Sequence, residues 1–119
     1  MNLKEQLKDV KDYFSPKIVT EVNDQYVKVA KIKGQEVPWH NHENEDELFY
    51  IIEGELLMEI ENGIPKIMNS GDMFVVPKGI NHKVSSVEVC SIMLIETKTT
   101  KHTGEVKSSI IKSIKEQSY

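Results

Sequence analysis

The chain has 119 residues, 29% of them charged, and a formal net charge of −4, which is typical of a single globular domain and argues against a nucleic-acid partner. No apolar run is long enough to span a membrane, and the opening segment Met1–Glu5 has no apolar signal core, so we expect a cytoplasmic protein with no membrane partner. The lone Cys90 excludes a disulfide within the chain and, because its neighbours are apolar, is expected to be a small buried hydrophobe.

A short amphipathic helix is predicted over residues 2–14. Three apolar residues recur at helical spacing: Leu3, Leu7 and Val10. Asn2 is a suitable N-cap, and Pro16 ends the helix because the residue before a proline avoids the helical conformation. The apolar face of this helix packs on the outside of the main sheet or contacts a second subunit, and the pattern does not separate these two readings.

From Lys17 onward the apolar period changes to two, which predicts strands. The predicted strands are 17–22, 26–33, 37–42, 47–52, 55–61, 64–68, 73–76, 81–85 and 87–96. The second of these strands has two faces, one with Tyr26, Lys28, Ala30 and Ile32 and the other with Val27 and Val29. Asn62-Gly63 is the strongest hairpin signal. Many short strands separated by turns indicate an all-β barrel or sandwich.

A candidate metal site lies in the middle of the chain. His40 and His42 are two residues apart, so in a strand their imidazoles are expected to project from the same face. An acidic loop, Glu43–Asp46, follows them, and Glu47 then opens an apolar run. Among these acidic residues we favour Glu47 as the third ligand, because an unpaired carboxylate is costly to bury. His82, much later in the chain, is the expected fourth ligand.

Two segments carry a family resemblance. The first has Gly34, His40-x-His42, Glu47 and Gly54, and the second has Gly71, Pro77-x-Gly79 and His82. In order and internal spacing these segments resemble the two motifs of the cupin superfamily, and the pair of motifs is far more specific than either alone. The chain departs from the second motif at Ser86, where the family usually has an asparagine that is not a metal ligand.

The resemblance implies a single-domain cupin jelly-roll barrel over residues 1–119, in which the barrel covers about 17–96 and a tail covers 97–119. It also implies one divalent transition metal per chain, held by His40, His42, Glu47 and His82. These ligand types suit Zn, Mn, Fe, Ni, Co or Cu and do not choose among them. The resemblance and the apolar N-terminal face both favour a homodimer.

The chain resembles the short cupins that are similar to mannose-6-phosphate isomerase. This implies a metalloenzyme that acts on a small oxygen-rich substrate, either as a sugar or sugar-phosphate isomerase or epimerase or as a dioxygenase. The alternative is a non-catalytic, metal-dependent module that binds or senses a small molecule. No catalytic residue is assigned.

Apolar and aromatic side chains near the two motifs suggest a small ligand pocket. The candidates for its walls are Trp39, Phe49, Tyr50, Met58, Phe74 and Met93, of which strand parity sends only some inward. In the tail, apolar residues within 105–119 recur at roughly helical spacing and fit a terminal helix, an arm on a partner subunit or a partly disordered segment. His102 is expected to lie on the surface.

Overall fold

The computed structural model describes residues 1–99, which form one short helix and seven antiparallel strands. The elements are α1 (Leu3–Leu7), β1 (Lys17–Val22), β2 (Gln25–Gly34), β3 (Glu47–Glu53), β4 (Glu55–Ile60), β5 (Lys66–Asn69), β6 (Met73–Val76) and β7 (His82–Thr97). They form a jelly roll, which confirms the predicted all-β fold class with its short N-terminal helix. Within this part of the chain no helix is long and apolar enough to cross a membrane. The predictions for residues 100–119, among them His102, lie outside the described residues.

The long strand β7 joins the two halves of the fold. Its first residues, 82–85, pair with β4, Ser86 and residues 90–97 pair with β2, and residues 91–96 also pair with β3 on the other side. The sequence predicted two strands here, 81–85 and 87–96. The two ranges form a single strand because the hydrogen-bonding partner changes from β4 to β2 at Ser86, ahead of an irregularity in the β2–β7 pairing, and the Ser86 hydroxyl donates to the Glu55 carbonyl of β4.

Apolar side chains pack on both faces of the sheet. The inner cluster fills the barrel and includes Ala30 and Ile32 of β2 together with Phe49 and Ile92. The outer cluster consists of Leu7, Val10, Val19, Val27 and Val29. The two faces predicted for β2 are therefore confirmed, and the N-terminal segment packs on the outside of the sheet.

The N-terminal helix is shorter than the predicted range 2–14. Asn2 caps it as predicted by accepting a hydrogen bond from the Glu5 amide, but α1 ends at Leu7. The following segment hydrogen-bonds to β2 instead of continuing the helix. The Lys31 ammonium donates to the Val10 carbonyl at 2.9 Å, and the Phe14 amide donates to the Lys31 carbonyl at 2.9 Å. Phe14 has a φ of 53° and is buried in the inner cluster. Tertiary hydrogen bonds thus override the helical pattern.

Two other predicted strands are absent or shortened, and each contains a proline. In the range 37–42 only His40 pairs, through a single backbone bridge with His82, because Pro38 has no N–H to give to a ladder. The strand predicted over 64–68 begins at Lys66, directly after Pro65, for the same reason. The Asn62-Gly63 turn is present, and Asn62 has a φ of 59°.

Gly54 has a packing role at the turn between β3 and β4. Its φ is 96°, and a Cβ at this position would lie 2.7 Å from the Val89 carbonyl oxygen and 2.9 Å from the Cys90 Cα. A side chain here is therefore excluded both by the backbone conformation and by β7. Cys90 itself is fully buried, as predicted, and burial raises the pKa of its thiol to about 11.

Candidate metal centre

Four buried side chains converge near one end of the barrel. They are His40, His42, Glu47 and His82, of which none is more than 5% exposed. One ligand atom from each lies within 4.8 Å of those of the other three. The two strand-opening residues Glu47 and His82 face the histidines of the segment between β2 and β3. The structure therefore brings together all four residues singled out from the sequence, although their supporting segment, 37–42, is not a strand.

Backbone carbonyls orient two of the imidazoles. His40 Nδ1 lies 2.8 Å from the Pro38 carbonyl oxygen, and His82 Nδ1 lies 3.1 Å from the Ile80 carbonyl oxygen. A carbonyl only accepts hydrogen bonds, so each Nδ1 carries the proton and each Nε2 keeps its lone pair. Such hydrogen bonds fix the tautomer that a metal requires.

The remaining imidazole nitrogens test whether the cluster fits a metal. Within residues 1–99, both ring nitrogens of His42 and Nε2 of His82 are buried without a hydrogen-bond partner. The distances from Glu47 Oε1 to Nε2 of His42 and of His82 are 3.5 Å and 3.6 Å, longer than ordinary hydrogen bonds. A buried polar atom without a partner costs about 1–3 kcal/mol. A divalent ion among these atoms would supply the missing partner for both Nε2 atoms, so the donor set can hold a metal.

A buried ion pair, which the sequence analysis did not single out, lies behind Glu47. The Lys28 ammonium pairs with Glu96 Oε1, and the Glu96 carboxyl is hydrogen-bonded to Glu47. Lys28 and Glu96 are 1% and 2% exposed. The register explains this meeting, because Glu96 of β7 is the cross-strand partner of Glu47, and Lys28 is opposite Leu94, two residues along the same strand. The available signal was the placement of Lys28 on the apolar inner face of β2.

The two carboxyl groups have opposite electrostatic environments. Burial raises the pKa of Glu96 well above its usual value, and the neighbouring Glu47 charge adds to this more than Lys28 offsets it. Burial would also raise the pKa of Glu47, but hydrogen bonding with Glu96 and interactions with His42 and His82 hold it well below its usual value. Of the two groups, Glu47 therefore loses its proton at the lower pH and is the one that is a carboxylate, the form that binds a metal.

The acid sensitivity of the metal-free protein is expected to depend strongly on His40. Burial, with a contribution from His82, lowers the pKa of His40 from 6.5 to about 4. The contribution of His40 to the free energy of unfolding, about 3 kcal/mol, is therefore fully present above the unfolded pKa of 6.5. It is lost as the pH falls towards the folded pKa of about 4. Urea unfolding with a chelator present, at about pH 7 and about pH 4.5, measures the loss.

The matched variant for this measurement is His40→Gln, which cannot titrate. Its free energy of unfolding is expected to fall less than that of the wild type between the two pH values, and the difference isolates His40 from the two carboxyl groups. An equal fall in both proteins would contradict the assignment.

A cavity of about 50 Å³ adjoins the cluster. Its polar wall consists of His40, Glu47, Lys28 and Glu96, and its apolar wall consists of Phe14, Pro16, Ala30, Ile32, Val37, Phe49, Val84, Ile92 and Leu94. Among the six pocket candidates Phe49 lines this cavity, with its ring centroid 6.0 Å from that of His82.

The other five candidates are not among the lining residues of the cavity. Trp39 is 43% exposed, Met58 is fully buried in the inner cluster, and Phe74 packs against that cluster. Met93 packs against the outer cluster, and Tyr50 is its cross-strand partner on β3. Parity explains the difference, because Glu47, Phe49 and Ile51 are the buried residues of β3 and Tyr50 alternates with them.

Comparison with known proteins gives a consistent family match. Residues 28–96 match the family model described as Cupin domain. The protein YdbB of Bacillus subtilis (strain 168) is 36% identical over 78 residues, which is 66% of this chain and 68% of that protein.

Two solved structures are also similar. A cupin-2 domain containing protein from Shewanella frigidimarina has a TM-score of 0.78 at 33% identity, covering 82% of this chain and 93% of that one. A protein from Neisseria meningitidis has a TM-score of 0.73 at 31% identity, covering 82% of this chain and 97% of that one. The match to both spans nearly all of their length.

Proposed function

This chain belongs to the cupin domain family, and we propose that it is a divalent-metal enzyme acting on a small organic molecule bound through its oxygen atoms. The observation that carries the proposal is the set of buried imidazole nitrogens without partners beside the Glu47 carboxylate. His40, His42, Glu47 and His82 would hold the ion, which when bound supplies Lewis acidity that polarises an oxygen of the ligand.

The residues around the cluster favour an enzyme over a non-catalytic binding or sensing module. Glu96 lines the same cavity beside the ligand carboxylate, and because its pKa is raised it is the carboxyl group of the pair that can exchange a proton within the site. Apolar residues form the rest of the cavity wall, and this lining of low polarity strengthens the interactions of the charged groups with a ligand. A binding module would need no such proton donor. The proposed reaction belongs to one of two classes: the first is isomerisation or epimerisation, and the second is dioxygenation.

Metal analysis of the full chain, purified without added metal, tests the proposal. We expect about one transition metal per chain. After chelation, a metal at about a thousand times its Kd is expected to raise the free energy of unfolding by about 4 kcal/mol. Bound iron would direct assays to dioxygen uptake, and zinc or manganese would direct them to isomerase substrates. A protein that is metal-free and stays so after reconstitution would overturn the proposal.

A further inference from the structure

The cavity beside the four ligands has a lining that does not suit a sugar. Nine of its thirteen lining residues are apolar, and none of the thirteen is a serine, threonine, asparagine or glutamine. The polar groups are engaged with one another or with the backbone: His40 with the Pro38 carbonyl, Lys28 with Glu96, and Glu96 with Glu47. A sugar carries hydroxyls around its whole body, and each one buried without a partner costs about 1–3 kcal/mol. An apolar body fits this wall.

The charges at the polar end of the cavity favour an anion once a metal is bound. The Lys28 ammonium offsets the Glu47 carboxylate, and ligand imidazoles bind metals in their neutral form. A divalent ion then leaves an excess of positive charge whether Glu96 is protonated or ionised. Since the surroundings are apolar and buried, this excess is poorly screened.

The small volume of the cavity favours a short ligand. It is about 50 Å³, which is more than the minimum of about 10–15 Å³ that one water molecule needs. A short aliphatic acid therefore fits it more readily than a hexose phosphate.

From these three observations we propose that the cavity binds a small monocarboxylate with an apolar body, with its carboxylate towards His40 and Glu47 and its carbon chain against the apolar wall. The inference rests on the proposed metal-dependent function and specifies its substrate class. It excludes sugars and sugar phosphates, the substrates expected of a sugar isomerase, as ligands of this cavity.

Ligand binding to the cobalt-loaded full-length protein tests the inference. The chelated protein is first titrated with Co(II), whose visible absorption reports binding. The loaded protein then receives acetate, propanoate, butanoate and hexanoate, with propanamide as the neutral match of propanoate and mannose 6-phosphate as the sugar probe. We expect a three- or four-carbon acid to perturb the cobalt spectrum and to bind at least about ten-fold tighter than propanamide or mannose 6-phosphate.

Two substitutions at one cavity position test the apolar wall without altering the four candidate metal ligands. Ala30 lines the cavity and is buried, so Ala30→Val narrows the space and Ala30→Gly widens it. The preferred chain length of the acid is expected to shift downward in the first variant and upward in the second. Calorimetry measures both affinities.

The outcomes separate the two proposals. Protein that does not bind Co(II) would overturn the metal-dependent function and this inference together. Protein that binds Co(II), but prefers mannose 6-phosphate or does not distinguish propanoate from propanamide, would overturn the substrate class and leave the metal site intact.

Discussion

Lys28→Met is expected to lower the free energy of unfolding of the metal-free protein by about 3–5 kcal/mol. Lys28 and Glu96 form an ion pair in which both side chains are almost fully buried, so removal of the ammonium leaves an acid in the barrel without its cation. Because burial raises the pKa of Glu96 above its ordinary 4.5, protonation relieves the loss at low pH, and the loss grows as the pH rises above that value. Urea unfolding across this pH range measures it.

A matched control is available at the surface. Lys98 pairs with Glu21 at 2.8 Å, but these side chains are 38% and 37% exposed, so Lys98→Met is expected to cost less than about 1 kcal/mol. The double variant Lys28→Met with Glu96→Leu removes both charges and is expected to recover part of the lost stability. A double variant as unstable as Lys28→Met would show that the cost comes from lost packing rather than from an unpaired charge.

Local patterns predicted most of the strands and missed the features that depend on tertiary contacts. The period of two placed Ala30 and Ile32 inside the barrel, and turn residues marked the ends of the hairpins. The helix predicted from apolar spacing ends at Leu7, because Lys31 donates a hydrogen bond to the Val10 carbonyl and the following segment packs beside β2. No local pattern contains that hydrogen bond, since its partners are 21 residues apart.

The candidate site likewise contains residues that local motifs predicted and residues that only the tertiary structure brings together. The four candidate ligands were predicted because their spacing follows family motifs, and they lie close together even though His40 lies in a bridge rather than in a strand. Lys28 and Glu96 were missed because their meeting depends on β7 lying between β2 and β3, which is a matter of sheet order. A lysine in phase with Ala30 and Ile32 was the only local sign, and its partner lay 68 residues away in the sequence.

Glu47→Gln is expected to weaken metal binding by at least about 100-fold, more than the loss typical of a residue that only supports a ligand. The amide is neutral, so it cannot replace the carboxylate that faces His42 and His82. Titration of the chelated protein with Co(II) or Zn(II) measures the affinity. Glu43→Gln removes an exposed charge from the acidic loop that precedes Glu47 and is expected to leave the metal affinity within about two-fold of the wild-type value, since exposed charges are largely screened.

Variants of Glu96 test whether this residue binds the metal itself or only supports Glu47. Glu96→Gln keeps a donor for Glu47 and an acceptor for Lys28, so metal affinity is expected to change by less than about ten-fold, whereas Glu96→Leu removes both and is expected to cost about 10–100-fold. This order places Glu47 in contact with the ion and Glu96 behind it. If Glu47→Gln bound metal as well as Glu43→Gln does, the carboxylate would not be a ligand, and the buried Lys28–Glu96–Glu47 chain would serve the ligand cavity instead.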